Sequence, residues 1–363
     1  MKMRGNRLLK ILDRYIGIPL VFSLGILKRR KKHPKSLDRI GILKTAAIGD
    51  TILLSAIIED IFDFLPNVKV VLFCGSSNYE IAKLIAEQYS ELKVVRLTLK
   101  NLISDIKTIR GFELDVLLDF GSWPRINAVY SFFSKSSFKV GFRTPYQYRH
   151  YIYDEAVEHR NDIHEIFNYK NILKTIGVNG SNLPTISLPR VEKNKNLIVI
   201  HMFPGGTKSY LKEWPEEYWV ELVDYLTGKG YSIALTGAKS DRDRALKIYN
   251  QSKRKNLVEV VAGKLSLKEV ALLLKRSTLV ISVNTGIMHL ASALGCNLVA
   301  LHGPTSSKRW GPLNKNSISI QSPLRCSPCL NLGFEYGCNE NKCMKAITMK
   351  DVIESVKEFI NLA

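Results

Sequence analysis

LVISVNTGIMHLASALGCNLVALHGPT, residues 279–305, decides the fold. Leu279–Val283 is a short run dominated by apolar side chains, the pattern of a strand covered on both faces. Asn284-Thr285-Gly286 turns the chain, Gly286–Leu294 reads as a helix, and Leu298–Leu301 is a second apolar strand. A strand, a helix and a strand in that order make parallel neighbours joined by a right-handed crossover.

The same alternation extends outward. Upstream lie strands at Leu197–Ile200, Tyr231–Thr236 and Leu257–Val261, with helices at Pro215–Lys229, Asp241–Asn250 and Ser266–Lys275. An earlier set begins with strands at Arg39–Lys44, Val68–Phe73, Leu92–Leu97 and Leu114–Asp119, with helices at Thr51–Phe64 and Asn78–Gln88. Residues 121–159 are less regular, and Ile163–Ile176 reads as a helix stopped by Gly177. Asn179–Asn196, with Pro184 and Pro189, reads as a linker. Two such sets predict an α/β chain with two Rossmann-like domains, each placing ligands at the carboxyl ends of its strands. The expected division is a leader at 1–36, an N-terminal domain at 37–190, a C-terminal domain at 191–325, and a cysteine cluster with a final helix at 326–363.

The 363 residues are 45% hydrophobic and 24% charged, a globular composition long enough for two cores. Six cysteines are too few for a disulfide scaffold, and no apolar run reaches the roughly 20 residues of a spanning helix. A net charge of +20 points to an anionic partner: nucleic acid, a membrane surface or phosphorylated substrates.

Half of that charge lies in the first 39 residues, which hold 12 Lys and Arg against Asp13 and Asp38. Between Arg14 and Lys28 runs an apolar stretch, Tyr15–Leu27, followed by Lys28-Arg29-Arg30-Lys31-Lys32. A signal peptide ends in small residues, not five cations. The stretch carries Ile16, Leu20, Val21, Phe22, Leu24 and Leu27, so it is expected to lie in a membrane interface with its basic flanks on anionic headgroups. The alternative is a solvated basic tail. On the membrane reading, removing residues 1–36 is expected to leave a folded, soluble protein that no longer sediments with anionic vesicles. The expected location is cytoplasmic, peripheral on the inner face of the cytoplasmic membrane.

Four loops follow strands and open helices, where anion sites form. Lys44-Thr45-Ala46-Ala47-Ile48-Gly49-Asp50-Thr51 is not a P-loop, since it lacks the second glycine–lysine pair. Asp50 can be a helix N-cap, a general base, or both. In His201–Pro215, Gly205 and Gly206 allow a phosphate close to the backbone, Thr207 follows them, and Lys208 and Lys212 supply charge. Around Asn284, Thr285 and Gly286 the free amides of a helix start suit a diphosphate, with Asn284 able to cap the helix and His289 one turn further on. For His289 the plain alternative is a buried, satisfied histidine. His302-Gly303-Pro304-Thr305 can close a nucleotide pocket.

Several segments, in order and spacing, carry a resemblance: Ile42-Leu43-Lys44 with Ile48-Gly49-Asp50-Thr51, then Pro204-Gly205-Gly206 with Lys212-Glu213-Trp214-Pro215. Tyr231–Gly237 follows, and Asn284-Thr285-Gly286 through His289-Leu290-Ala291 to His302-Gly303-Pro304-Thr305 completes the set. From about Arg39 onward the chain resembles glycosyltransferase family 9, which includes ADP-heptose:lipopolysaccharide heptosyltransferases. The resemblance implies a GT-B fold, two Rossmann-like domains facing a cleft, with the nucleotide-sugar held chiefly by the second. It implies inverting transfer without a metal or other catalytic cofactor. Asp50 would be the base toward the acceptor hydroxyl. Lys212, Thr285 and Gly286 would hold the donor diphosphate, and Asp241 lies near the family's acid toward the nucleotide ribose. The sequence departs from the family at Asn284, where members usually have Asp. The implied partners are a nucleotide-sugar, here ADP-heptose, and a glycolipid acceptor such as lipopolysaccharide.

Cys326, Cys329, Cys338 and Cys343 have the spacing C-x2-C-x8-C-x4-C, which suits a structural zinc or iron; the alternative is a set of reduced thiols or a disulfide pair. Cys74 and Cys296 are expected in the core. Two rival functions remain open at this stage. One is a basic nucleic-acid-binding protein, although no nucleic-acid module is recognisable and no nucleic acid is expected as partner. The other is a GT-B sugar-nucleotide epimerase.

Overall fold

The computed structural model describes residues 11, 13–206, 208–330 and 338–361. Thr207, the first ten residues and Leu12 of the leader, residues 331–337 of the cysteine segment, and residues 362–363 lie outside the described residues. The chain divides between Pro184 and Thr185 into two compact units.

The N-terminal unit opens with helix α1 (Gly17–Leu27), then β1 (Arg39–Lys44), α2 (Ile48–Phe64), β2 (Lys69–Cys74), α3 (Tyr79–Ala86), β3 (Leu92–Arg96) and α4 (Leu102–Arg110). It continues through β4 (Val116–Asp119), α5 (Arg125–Phe133), β5 (Phe138–Arg143), β6 (Glu155–Glu158) and α6 (Glu165–Lys174). Its sheet order is β3-β2-β1-β4-β5-β6, every pair parallel. The C-terminal unit runs β7 (Asn194–His201), α7 (Glu216–Gly228), β8 (Ser232–Thr236), α8 (Arg242–Gln251), β9 (Val258–Val260), α9 (Leu267–Arg276), β10 (Ser277–Val283) and α10 (Gly286–Ala293). Then follow β11 (Leu298–His302), α11 (Ser307–Trp310), β12 (Ser317–Gln321), α12 (Lys342–Lys345) and α13 (Met349–Lys357). Its sheet order is β12-β11-β10-β7-β8-β9, again parallel throughout.

Counted within each unit, both sheets have the order 3-2-1-4-5-6 of a Rossmann fold. The strand order therefore reverses between β1 and β4 in one unit and between β7 and β10 in the other. In open α/β sheets such a point, beyond the carboxyl ends of the strands, is where a ligand is expected to bind.

The strands are buried because both faces are covered. In β1 every residue after Arg39 is buried, as a parallel sheet between helices requires. Gly41 is small for a reason: a Cβ there would stand 2.5 Å from Leu114 Cδ1 and 2.8 Å from Leu117 Cδ1. In the C-terminal unit one core takes in Ile198 and Ile200 of β7, Trp219 and Leu222 of α7, Ile281 of β10, and Val352 and Val356 of α13.

Several elements depart from the sequence expectations. The irregular stretch 121–159 contains α5, β5 and β6, and α4 and β12 add further regular structure. Asn194, taken with the linker, already belongs to β7.

The leader needs the largest correction. Helix α1 buries Val21 and Leu24 against Ala128, Val129 and Ile152 of the N-terminal unit. The Arg125 guanidinium pairs with Asp13, whose carboxylate also accepts from Arg125 N–H at 2.9 Å and Trp123 Nε1 at 3.2 Å. At the other end Lys28 pairs with Asp154. An apolar face plus charged pairs at both ends fix the segment to the unit, so it is not a solvated tail.

Candidate active site

At the switch point of the N-terminal unit, Leu43 of β1 stands opposite Asp119 of β4, so the loops after the two strands emerge side by side. The N-cap of α2 is Ala47, which corrects the capping role considered for Asp50. Asp50 instead lies in the first turn, where the helix dipole favours a carboxylate. Its side chain is 24% exposed and stands 3.3 Å from Lys44 Nζ.

Lys44 is a buried cation. Its ammonium donates to the Phe120 carbonyl at 3.0 Å and to the Tyr169 hydroxyl at 2.8 Å, and it lies over the Tyr169 ring. Asn78 braces the loop from below, donating to the Lys44 carbonyl and to Thr51 Oγ1, both at 2.8 Å. Thr45 Oγ1 donates to Asn127 Oδ1 at 2.8 Å, and Asn127 donates to Asp119 at 3.2 Å. Asp119 in turn pairs with fully buried Arg149 and accepts from Tyr153 at 2.6 Å. The result is a partly exposed carboxylate on a rigid mount, the arrangement a general base needs to meet a hydroxyl proton.

In the C-terminal unit His201 of β7 pairs in register with Ser282 of β10, so the loops carrying most donor-site candidates leave neighbouring strands at the same level. In the first loop Gly205 and Gly206 are exposed. Gly206 has φ +87° and no atom within 4 Å of an added Cβ, which leaves the backbone open to a ligand. Lys208 adopts φ 49° and starts the single helical turn Ser209–Lys212. Lys212 Nζ returns to the Gly205 carbonyl at 2.9 Å. Burial pushes the Lys212 ammonium down to about 8.

The second loop opens α10. Its N-cap is Thr285, whose Oγ1 accepts from Ile287 N–H at 3.1 Å and Met288 N–H at 3.3 Å. Asn284 therefore does not cap the helix, contrary to expectation. Its side-chain amide donates to the Trp310 carbonyl at 3.3 Å and lies 3.4 Å from His302 Nδ1. Gly286 is the first residue of α10, and His289 is buried one turn in, its N–H on the Thr285 carbonyl at 3.3 Å.

Asp241 is buried and accepts from Ala238 N–H at 2.9 Å, so this carboxylate shapes the loop after β8. It is also brought beside the loop after β7: a Cβ on Gly237 would meet both Asp241 Cβ and Phe203 Cδ2 at 3.0 Å.

Sequence reasoning assigned no role to Lys44, Tyr169 or Arg244. Arg244 grips Glu213 through two hydrogen bonds of 3.1 and 2.7 Å and covers the Phe203 ring at 4.8 Å, tying α8 to the loop after β7. In the sequence Lys44 stood out only by its place at the end of an apolar strand, opening the loop that leads to Asp50.

Cys74 and Cys296 are buried as expected. Cys326 and Cys338 are exposed, Cys329 is half-buried and Cys343 is buried. Burial, with smaller contributions from Cys329 and Cys338, pushes the Cys343 thiol up to about 11. Among the described residues, no three His, Cys, Asp or Glu side chains are grouped so as to hold a metal ion.

The pattern describing glycosyltransferase family 9 (heptosyltransferase) matches residues 125–340. Lipopolysaccharide heptosyltransferase 1 of Pseudomonas aeruginosa is 32% identical over 136 residues, which span 37% of each chain. Lipooligosaccharide heptosyltransferase 2 of Campylobacter jejuni is 21% identical over 321 residues, 86% of this chain and 96% of that one. The structure of ADP-heptose lipopolysaccharide heptosyltransferase II from Escherichia coli has the same fold, with a TM-score of 0.71 and 16% identity over 88% of this chain and 98% of that one. The two Rossmann-like units are thus those of a GT-B protein, and the chain belongs to glycosyltransferase family 9, the heptosyltransferases.

Proposed function

We propose that the chain transfers heptose from ADP-heptose to a lipopolysaccharide or other cell-surface glycan acceptor, with inversion and without a catalytic metal. One observation carries the reading: each unit presents complementary chemistry at the switch point of its own sheet. The N-terminal unit offers Asp50, mounted beside Lys44. The C-terminal unit offers Lys212, the open backbone of Gly205 and Gly206, and Gly286 at the start of α10.

In the proposed reaction, Asp50 accepts the proton of the acceptor hydroxyl as its oxygen attacks the anomeric carbon. The bond from that carbon to the donor diphosphate breaks, and ADP leaves with the electron pair. Positive charge grows on the sugar and negative charge on the diphosphate. Fixed donors aimed at the leaving group stabilise that charge without reorganising. Lys212, Thr285 and Gly286 are assigned this task. The heptosyltransferase relatives favour heptose as the sugar, and the E. coli neighbour favours ADP as the nucleotide.

The test is Asp50→Asn, assayed for transfer and titrated with ADP. Transfer should fall about 100- to 10,000-fold, with ADP affinity unchanged. Turnover near wild type would remove Asp50 as the base. Failure of ADP or ADP-heptose to stabilise the wild-type chain would remove the donor assignment. A structural zinc or iron on Cys326, Cys329, Cys338 and Cys343 is a separate proposal resting on their spacing, and metal analysis of the purified chain decides it.

A further inference from the structure

Helix α1 covers part of the N-terminal unit yet leaves a second apolar face uncovered. Val21 and Leu24 face inward, while Ile16, Leu20, Phe22, Ile26 and Leu27 are 59%, 40%, 52%, 72% and 72% exposed. Ser23, also on the outer side, bonds its hydroxyl to the Pro19 carbonyl at 3.0 Å. The face therefore carries no free hydroxyl there to favour water. Contiguous apolar exposure of this kind marks a contact surface.

The rim of the face is cationic. Arg14 is exposed at one end, and Arg29, Arg30, Lys32 and Lys35 are exposed at the other. The acids that could neutralise them are engaged, Asp13 with Arg125 and Asp154 with Lys28. Exposed Tyr15 and Tyr151 flank the apolar residues, and Tyr151 meets Phe22 edge-on at 5.7 Å. Tyrosines of this sort favour the boundary between headgroups and acyl chains.

We propose that this face docks the N-terminal unit on an anionic phospholipid bilayer, with α1 lying in the plane of the interface. Eleven residues of helix span about 16 Å, against a hydrocarbon core of about 30 Å. No helix among the described residues is long and apolar enough to cross. Apolar residues enter the boundary layer while the flanking cations meet lipid phosphates, the two-part attachment of interfacial helices. A second copy of the chain suits the face less well, because the cationic rims would repel each other. The ion pairs at both ends fix α1 to the unit, so the folded domain is oriented on the surface rather than tethered to it. This inference does not depend on the transfer reaction.

The test is sedimentation of the full chain with vesicles of equal parts phosphatidylglycerol and phosphatidylcholine, against vesicles of phosphatidylcholine alone. Binding should favour the anionic vesicles and weaken with salt. Arg29→Glu with Arg30→Glu should weaken it at least about 25-fold, counting about fivefold per lost cation. Ile26→Asp with Leu27→Asp should abolish it, and both pairs should leave the thermal midpoint unchanged because all four side chains are exposed. Wild-type binding that either pair leaves intact overturns the proposal, as does no binding at all. Self-association abolished by Ile26→Asp with Leu27→Asp, without vesicle binding, overturns it in favour of a second copy.

Discussion

Deleting residues 1–36 is the sharpest test of how the leader is built in. The deletion strips Val21 and Leu24 from Ala128, Val129 and Ile152. Full burial of such side chains contributes about 1.5–3 kcal/mol each. It also takes Asp13 from Arg125, whose side chain is 4% exposed, and Lys28 from Asp154, whose side chain is inaccessible. Burial already pulls the Arg125 guanidinium below its ordinary value, and Asp13 works against that pull. A hydrogen bond to a charged group contributes about 1.5–3 kcal/mol. Some of the loss is recovered as the cut surface rehydrates, which brings the net cost to about 5 kcal/mol. For a unit of this size each kcal/mol moves the thermal midpoint by about 2–4 °C, so a fall of about 10–20 °C is expected. Scanning calorimetry of the full and shortened chains measures it, and the transition of the C-terminal unit should stay in place. Asp13→Asn in the full chain should reproduce about 1–3 kcal/mol of the loss. A shortened chain within about 2 °C of the full one would show that the packing and ion pairs contribute nothing net.

Further outcomes are expected at the site. Lys212 is held near 8, so its charge is present below that pH and lost above it; ADP affinity should decline as pH rises through about 8. Titration calorimetry should find that slope much reduced in Lys212→Ala, and an equal slope in the variant would take Lys212 out of the phosphate site. Asn284→Asp exchanges a donor to the Trp310 carbonyl for an acceptor and should cost about 1–3 kcal/mol in a denaturant titration; unchanged stability would mean the amide bond is idle. Lys44→Met leaves the Phe120 carbonyl and Tyr169 hydroxyl without their ammonium and frees Asp50 to turn. It should lower kcat while leaving ADP affinity alone, and an unaltered kcat would show that Asp50 needs no such anchor.

The alternation of strands and helices was legible because parallel strands covered on both faces read as largely apolar runs, as in Ile40–Leu43 and Leu279–Val283. Strand β5 was hidden by its cations. Lys139 is buried, and desolvation, with Lys31 adding to the effect, pushes it down to about 8; in the sequence it looks like a residue for solvent. Lys44 was hidden in the same way, since the groups that satisfy it come from Phe120 and Tyr169, far along the chain. The loops that follow strands could be found by position alone. Which residue caps each helix could not, because Ala47 rather than Asp50 and Thr285 rather than Asn284 take those places through backbone geometry. The apolar leader was visible, but its inner and outer faces were not, because it is apolar on both.

The loop after β7, which carries Lys212, is backed by residues far later in the chain. Trp214 Nε1 donates to the Ile347 carbonyl at 2.9 Å, and Asn341 Nδ2 donates to the Glu213 carbonyl at 2.9 Å. Contacts of such long sequence separation form late, since the intervening chain must first be closed into a loop. During synthesis the segment bearing Lys212 would leave the ribosome with Trp214 packed on Tyr218 and Trp219 but without its bond to Ile347. If ADP binds there as proposed, its capture by the nascent chain is a late event, because the loop bearing Lys212 gains this backing only after Ile347 has emerged and folded back.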